Sequence, residues 1–294
     1  MNPAVLQKLL PLALACIMFY LGLTLVLADF RRVTLRPKAL VVGLLGQLLL
    51  VPVAGFAVAR LTGLDPMMAV GLMVLAACPG GVSSGLLTHL ARGDTALSIS
   101  LTALSSLASM LTMPLLLSGA LQYFMGGSLA TRASLGAMVG SIFLLTTLPV
   151  LLGMGVRWRF PAAVMRWVPV AARLSTGLFV LIVLATFWDQ REVLVQQLPQ
   201  LGPATLLLNL LIMGVAYALA TRMRLVHTDR IAVVIECGMH NSALGIYVCV
   251  QWMVMPAMSA PSVVYALLMN VTTLMFVVLM RRWRGAAIAW NRSY

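Results

Sequence analysis

Ile231-Ala-Val-Val-Ile-Glu-Cys-Gly-Met-His-Asn-Ser-Ala-Leu-Gly-Ile-Tyr247 is an apolar run with a carboxylic acid in its middle. A charge in hydrocarbon costs several kcal/mol unless a cation, a proton or a dipole compensates it, so such a residue reads first as functional. The chain has seven Asp and Glu. Asp29, Asp65, Asp94, Asp189, Glu192 and Asp229 stand at the ends of apolar stretches, and Glu236 alone stands inside one. Directly after it, Gly238-Met-His-Asn-Ser242 interrupts the apolar pattern with small and polar residues.

The rest of the chain explains why a lone acid matters. Of its 294 residues, 62% are hydrophobic and 9% charged, with a mean hydropathy of +1.02. A soluble domain carries about 25% charge. The composition therefore predicts an all-α polytopic membrane protein. The net charge of +13 comes from short basic bursts between apolar runs rather than from one basic face, which argues against nucleic acid as a partner. Cys16, Cys78, Cys237 and Cys249 all lie in apolar segments without a CxxC pair, and are expected to be buried free thiols. The first apolar run continues to Leu27, too long for a signal peptide core, and reads as a retained span.

Nine spans of about 20 residues are expected, at 8–28, 39–61, 66–92, 95–118, 134–156, 167–188, 201–221, 229–253 and 260–281. Fifteen of the twenty basic residues then fall on one side: Arg31, Arg32, Arg36, Lys38, Arg92, Arg157, Arg159, Arg166, Arg222, Arg224, Arg230, Arg281, Arg282, Arg284 and Arg292. Lys8, Arg60, Arg132 and Arg191 fall opposite, and Arg173 can snorkel from its span. This asymmetry predicts an inner (plasma) membrane protein with its N-terminus outside and its C-terminus in the cytoplasm.

Two spans are interrupted near their middles. The third reads Ala69 to Cys78, then Pro79-Gly-Gly81, then Val82 to His89. Proline removes a helix donor, and glycine weakens the next helical turn. The eighth is the Glu236 segment. Paired interruptions in corresponding places of two halves point to an inverted-repeat transporter with its site at the membrane midplane. Freed carbonyls, hydroxyls and amides there suit a hard cation, and Glu236 adds a full negative charge. Ser83, Ser84 and Thr88 flank the first break, Asn241 and Ser242 the second, and the fourth span carries a hydroxyl stripe of Ser98, Thr102, Ser105 and Ser106. Plainer readings stand beside these. Span hydroxyls often bond their own backbone or glue helices together. Gln47 serves equally as an interhelical hydrogen-bonding group, His89 as a structural residue, and Glu236 as a protonated structural carboxyl.

The run Cys78-Pro-Gly-Gly-Val-Ser-Ser-Gly-Leu-Leu-Thr-His-Leu-Ala-Arg-Gly-Asp-Thr-Ala-Leu-Ser98 resembles the first crossover motif of the bile acid:sodium symporter family, and Glu236-Cys-Gly-Met-His-Asn-Ser242 resembles its second. Arg31-Arg32, Arg36-Pro-Lys-Ala-Leu40 and Gly46-Gln47 also fit, and the likeness covers nearly the whole chain, in the form of the nine-span members. The resemblance implies a panel domain, expected at 8–61 and 134–221, and a core domain, expected at 66–118 and 229–281, in which two broken helices cross. It implies a first sodium site on Ser84, Ser98, Thr102 and Glu236. A second would use Gln47, Glu236 and backbone near Cys237 and Met239. Asn241 and Asn270 would face the organic substrate. Two positions depart from the pattern. Gly85 stands where an Asn is common, and His240 replaces a Gln among the cation-binding positions. An imidazole is a poor sodium ligand that titrates near neutrality, so a proton carried on His240 in place of one sodium is a further expectation.

The expected function is uptake of an organic anion (bile-acid-like, pantoate-like or a keto acid) driven by sodium, by alternating access. Sodium acts as coupling ion, no cofactor is called for, and membrane lipid is the one other partner, with no obligatory protein partner. A proton-coupled transporter or exporter is the alternative. A channel would show a repeated filter or charged ring, and a membrane sensor would need an output domain. Enzyme chemistry lacks a motif: there are no paired aspartates and no His-Glu-His metal pattern.

Overall fold

A computed structural model describes residues 3–26, 28, 37–81, 83–126 and 135–292. Asp29, Arg31, Arg32, Arg36, Val82 and Arg132 lie outside the described residues, as do the side chains of Lys8, Arg284 and Arg292. Among the described residues there are helices and one isolated β-bridge, and no strand.

Helix α1 is Pro3–Thr24 and α2 is Pro37–Leu61, the latter passing through a π-helical turn at Gly46–Leu50. The first interrupted segment gives α3, Pro66–Ala77, and α4, Ser84–Leu90. Next come α5, Thr95–Met125, and α6, built from Leu135–Ile142, a π turn Phe143–Thr147 and Leu148–Arg159. Helices α7, Pro161–Asp189, and α8, Arg191–Arg222, are long. The second interrupted segment gives α9, His227–Gly238, and α10, Ser242–Trp252. A short 3-10 turn, Pro256–Ser259, leads into α11, Ala260–Arg292.

Six helices among the described residues are long and apolar enough to cross a membrane: Pro37–Leu61, Thr95–Met125, Gly136–Arg159, Pro161–Asp189, Arg191–Arg222 and Pro256–Arg282. Leu9–Thr24, Pro66–Ala77 and Ser242–Trp252 are apolar but shorter, the last two because each is half of an interrupted segment. The molecule is a multi-pass, all-helical membrane protein.

The helix ends obey local chemistry. Asp65 caps α3 by accepting from Met67 N (3.1 Å), with Pro66 in the first turn where its missing N–H is harmless. Asp94 caps α5 by accepting from Leu97 N (3.0 Å). Cys78 takes an extended conformation because it precedes Pro79, and α3 stops there. Met239 is likewise extended, and Asn241 restarts the helix by accepting from Leu244 N (3.1 Å).

Packing divides the helices. Helix α1 packs on α6 and α7. A β-carbon on Gly22 would overlap the Val150 carbonyl oxygen, and one on Gly153 the Phe19 carbonyl oxygen, so α1 and α6 meet at backbone distance. Helix α2 lies on α3 and α8, and α8 lies on α9 and α11. Polar contacts hold α8 there, with Asn209 Nδ2 donating to Gly238 O (2.8 Å) and to the Tyr265 hydroxyl (2.9 Å). Cys78, Cys237 and Cys249 are buried as expected, but Cys16 is exposed on the outer face of α1, since its helix presents that side away from α6 and α7.

Candidate functional site: a carboxylate at the joined breaks

The two breaks bond to each other. Gly80 and His240 form an antiparallel bridge, in which Gly81 N donates to Met239 O (3.0 Å) and Asn241 N to Pro79 O (2.9 Å). Each break thus satisfies backbone groups that its own helix has released.

Glu236 sits beside this bridge and is fully buried. Thr102 Oγ1 donates to its Oε1 (2.6 Å) and Ser98 Oγ to its Oε2 (3.0 Å). Ser84 Oγ lies 3.2 Å from Thr102 Oγ1 and 3.4 Å from Ser98 Oγ. Thr102 Oγ1 also lies 3.1 Å from Ser98 O, so three hydroxyl protons serve three hydroxyl, two carboxylate and one carbonyl oxygen, which leaves an excess of lone pairs around one negative charge. No Lys or Arg forms a salt bridge with Glu236 among the described residues. Hydroxyl and carboxylate oxygens gathered in this way have the chemistry that a hard monovalent cation requires. Glycine at position 80 makes the arrangement possible, because a β-carbon there would overlap Glu236 Oε1.

The other expected cation residues are arranged differently. Gln47 is buried in the π turn of α2, and its Nε2 donates to Cys78 O (3.0 Å) rather than meeting Glu236. Its Oε1 has no hydrogen-bond partner. Met239 O already accepts from Gly81, so at most one lone pair remains for an ion. His240 is buried, with Nδ1 3.1 Å from the Tyr265 hydroxyl. With that hydroxyl's single proton directed to Gly238 O (2.9 Å), Nδ1 is the donor and Nε2 carries the lone pair of the neutral ring; with it directed to Nδ1, Gly238 O is served by Asn209 alone and the tautomer reverses. Nε2 has no partner.

A cavity of about 550 Å³ adjoins the cluster. Ser84 and Thr102 line it, with His240, Asn241 and Asn270 on the same side and α1 and α7 on the other. Asn241 spends its Oδ1 as the α10 cap, which turns Nδ2 toward a weak acceptor, the Met18 sulfur at 3.7 Å. Asn270 spends Nδ2 on Ala266 O (2.7 Å) and keeps its Oδ1. His89, expected to be structural, also lines the cavity. Sequence reasoning missed Tyr265 and Asn209, which together clamp Gly238 and His240. An amide alone inside the apolar run 201–221 was the available signal for Asn209.

The profile of the Sodium Bile acid symporter family matches residues 11–197, more than half of the chain. The chain belongs to that family. Among its relatives is the probable sodium/metabolite cotransporter BASS2, chloroplastic, of Oryza sativa subsp. japonica, 30% identical over 87% of this chain and 60% of its own length. The uncharacterized sodium-dependent transporter YocS of Bacillus subtilis (strain 168) is 29% identical over 88% of this chain and 78% of its own length. The ileal sodium/bile acid cotransporter of Oryctolagus cuniculus is 35% identical over 38% of this chain and 33% of its own length. This member of the sodium bile acid symporter family thus spans 60% of the rice protein's length.

Proposed function

We propose that the protein is a sodium-coupled symporter of a small organic anion working by alternating access. One observation carries the reading. Glu236, with Ser84, Ser98 and Thr102, forms an oxygen cluster at the joined breaks, and that cluster shares a wall with the cavity. Sodium on the cluster would neutralise Glu236 and hold α5 and α9 together. Its presence would fix the wall on which Asn241 Nδ2 meets the substrate carboxylate. Gln47 Oε1 is the best-placed oxygen for a second ion. His240 lies at the cavity wall, and a proton on it remains the rival form of coupling.

The packing supports a panel of α1, α6 and α7, and a core of α2 to α5 and α8 to α11. An inverted repeat then relates α1–α5 to α7–α11, with α6 unmatched, and the breaks cross at the midplane of a nine-span protein. On this reading the cavity would lie between the two units, and it is lined near Thr24, His89 and Thr95, the last two flanking the basic connection at Arg92. With the C-terminus in the cytoplasm, this is the inward-facing state of an inner-membrane protein.

Purified protein in liposomes tests the reading. An inward sodium gradient should drive accumulation of a labelled hydroxy, keto or bile acid. Accumulation that tracks an imposed pH gradient and ignores sodium would replace sodium with protons as the coupling ion.

A further inference from the structure

The hydroxyl face of α5 does not end at Thr102. Ser105, Ser109 and Thr112 extend it at spacings of three and four residues, toward the end of α5 away from the cavity. At about 1.5 Å per residue, Thr112 stands about 15 Å beyond Thr102. Ser105 Oγ donates to Thr102 O (3.1 Å) and Ser109 Oγ to Ser106 O (2.8 Å). A hydroxyl has one proton, and in Ser105 and Ser109 it is committed to the helix's own backbone, so these oxygens act as acceptors; Ser105 Oγ spends one lone pair on Gly80 N (3.4 Å) and keeps the other.

That face borders a narrow cleft shared with Gln47, Leu48, Pro52, Cys78 and Pro79. Gln47 is 2% exposed and lines the cleft. Its Nε2 is bound to Cys78 O, so the unpartnered atom is an acceptor, Oε1. Pro52 has no N–H and leaves a carbonyl one turn earlier on α2 without its helical donor, and Pro114 does the same to Met110 on α5. Among the described residues, none lining the cleft carries a charge. A line of acceptor oxygens on Gln47, Ser105, Ser109 and Thr112, set among apolar Leu48, Pro52, Ala76, Ala77 and Leu116, would suit a partly dehydrated monovalent cation if the gap opened, whereas a divalent ion would lose its water there without compensation.

We propose that this cleft is the route by which the coupling sodium reaches the Glu236 cluster from the face opposite the cavity, passing Thr112, Ser109 and Ser105 to Gln47 Oε1. The route rests on the sodium-coupled reading above. In this structure it leaves no room for a water molecule, so it is shut while the cavity on the other face is formed. Two access paths that open in turn are what alternating access demands.

The test uses full-length protein in liposomes carrying the pair Ser109→Ala and Thr112→Val, which removes two oxygens and little volume. The expected result is at least a fivefold rise in the external sodium needed for half-maximal uptake, with the substrate KM at saturating sodium changed less than twofold. Should the pair fail to fold, Thr112→Val alone carries the test, with a rise of at least twofold expected. Sodium half-saturation unchanged in a variant with wild-type thermal stability overturns the route and means the cleft holds water or nothing. Wild-type uptake indifferent to sodium overturns the proposed function itself, and the route with it.

Discussion

The two breaks do different work. The first, Cys78-Pro-Gly-Gly81, contributes almost no side chain: it supplies backbone to the bridge and, at Gly80, the space that the Glu236 carboxylate occupies. The second, Gly238-Met-His-Asn241, supplies side chains, with Glu236 immediately before it and His240 and Asn241 within it. The site thus arises from one helix that gives room and another that gives charge. Neither break makes a site alone, because Glu236 needs both Gly80 beside it and the hydroxyls that α4 and α5 bring.

The sharpest way to break that division is to fill the room. Gly80→Ala puts a methyl group onto Glu236 Oε1, and the backbone cannot withdraw, since it is bonded to the second break on both sides. Overpacking of this kind costs about 1–3 kcal/mol. Loss of sodium-dependent thermal stabilisation together with a lowered melting temperature is expected, and unaltered sodium response would mean that the room is not needed.

Thr102→Val tests the hydroxyls brought to the charge. It keeps the shape and removes the 2.6 Å donor. The variant also removes an oxygen that would face the ion, and loss of that ligand at about 1.4 kcal/mol or more should raise sodium half-saturation in a binding titration about tenfold or more. Asn241→Ala probes the second break's own side chain. It removes an N-cap, at about 1 kcal/mol, and the amide facing the cavity. Uptake kinetics should show a severalfold higher substrate KM with sodium half-saturation changed less than threefold; the reverse pattern would assign Asn241 to the ion. The smallest effect on sodium belongs to Tyr265→Phe, which loses the hydroxyl bond to Gly238 O and the hydroxyl's contacts with Asn209 Nδ2 and His240 Nδ1, about 1–3 kcal/mol of stability. Thermal denaturation should register that loss while sodium half-saturation stays within twofold.

Much of this was legible in the sequence because burial of charge is costly and proline's missing donor is local. Glu236, Pro79-Gly-Gly81 and the Ser98–Thr102 pair could be read one segment at a time, and the structure brings all three together. Helix grouping could not be read that way. Whether α2 and α8 side with α1 or with α9 depends on contacts such as Asn209 with Gly238, or Gly22 with Val150, which join residues far apart in the chain. The exposure of Cys16 and the place of His89 on the cavity wall depend on the same packing. The tautomer of His240 is further removed still, since it depends on how Tyr265 spends one proton.

The central claim is that Glu236 holds the coupling cation. A thermal-shift titration of purified protein with sodium, against choline at equal ionic strength, tests it most directly. Wild-type protein should be stabilised by sodium in a saturable way, and Glu236→Gln, folded but neutral, should lose that stabilisation. Sodium stabilisation retained in full by Glu236→Gln would contradict the account.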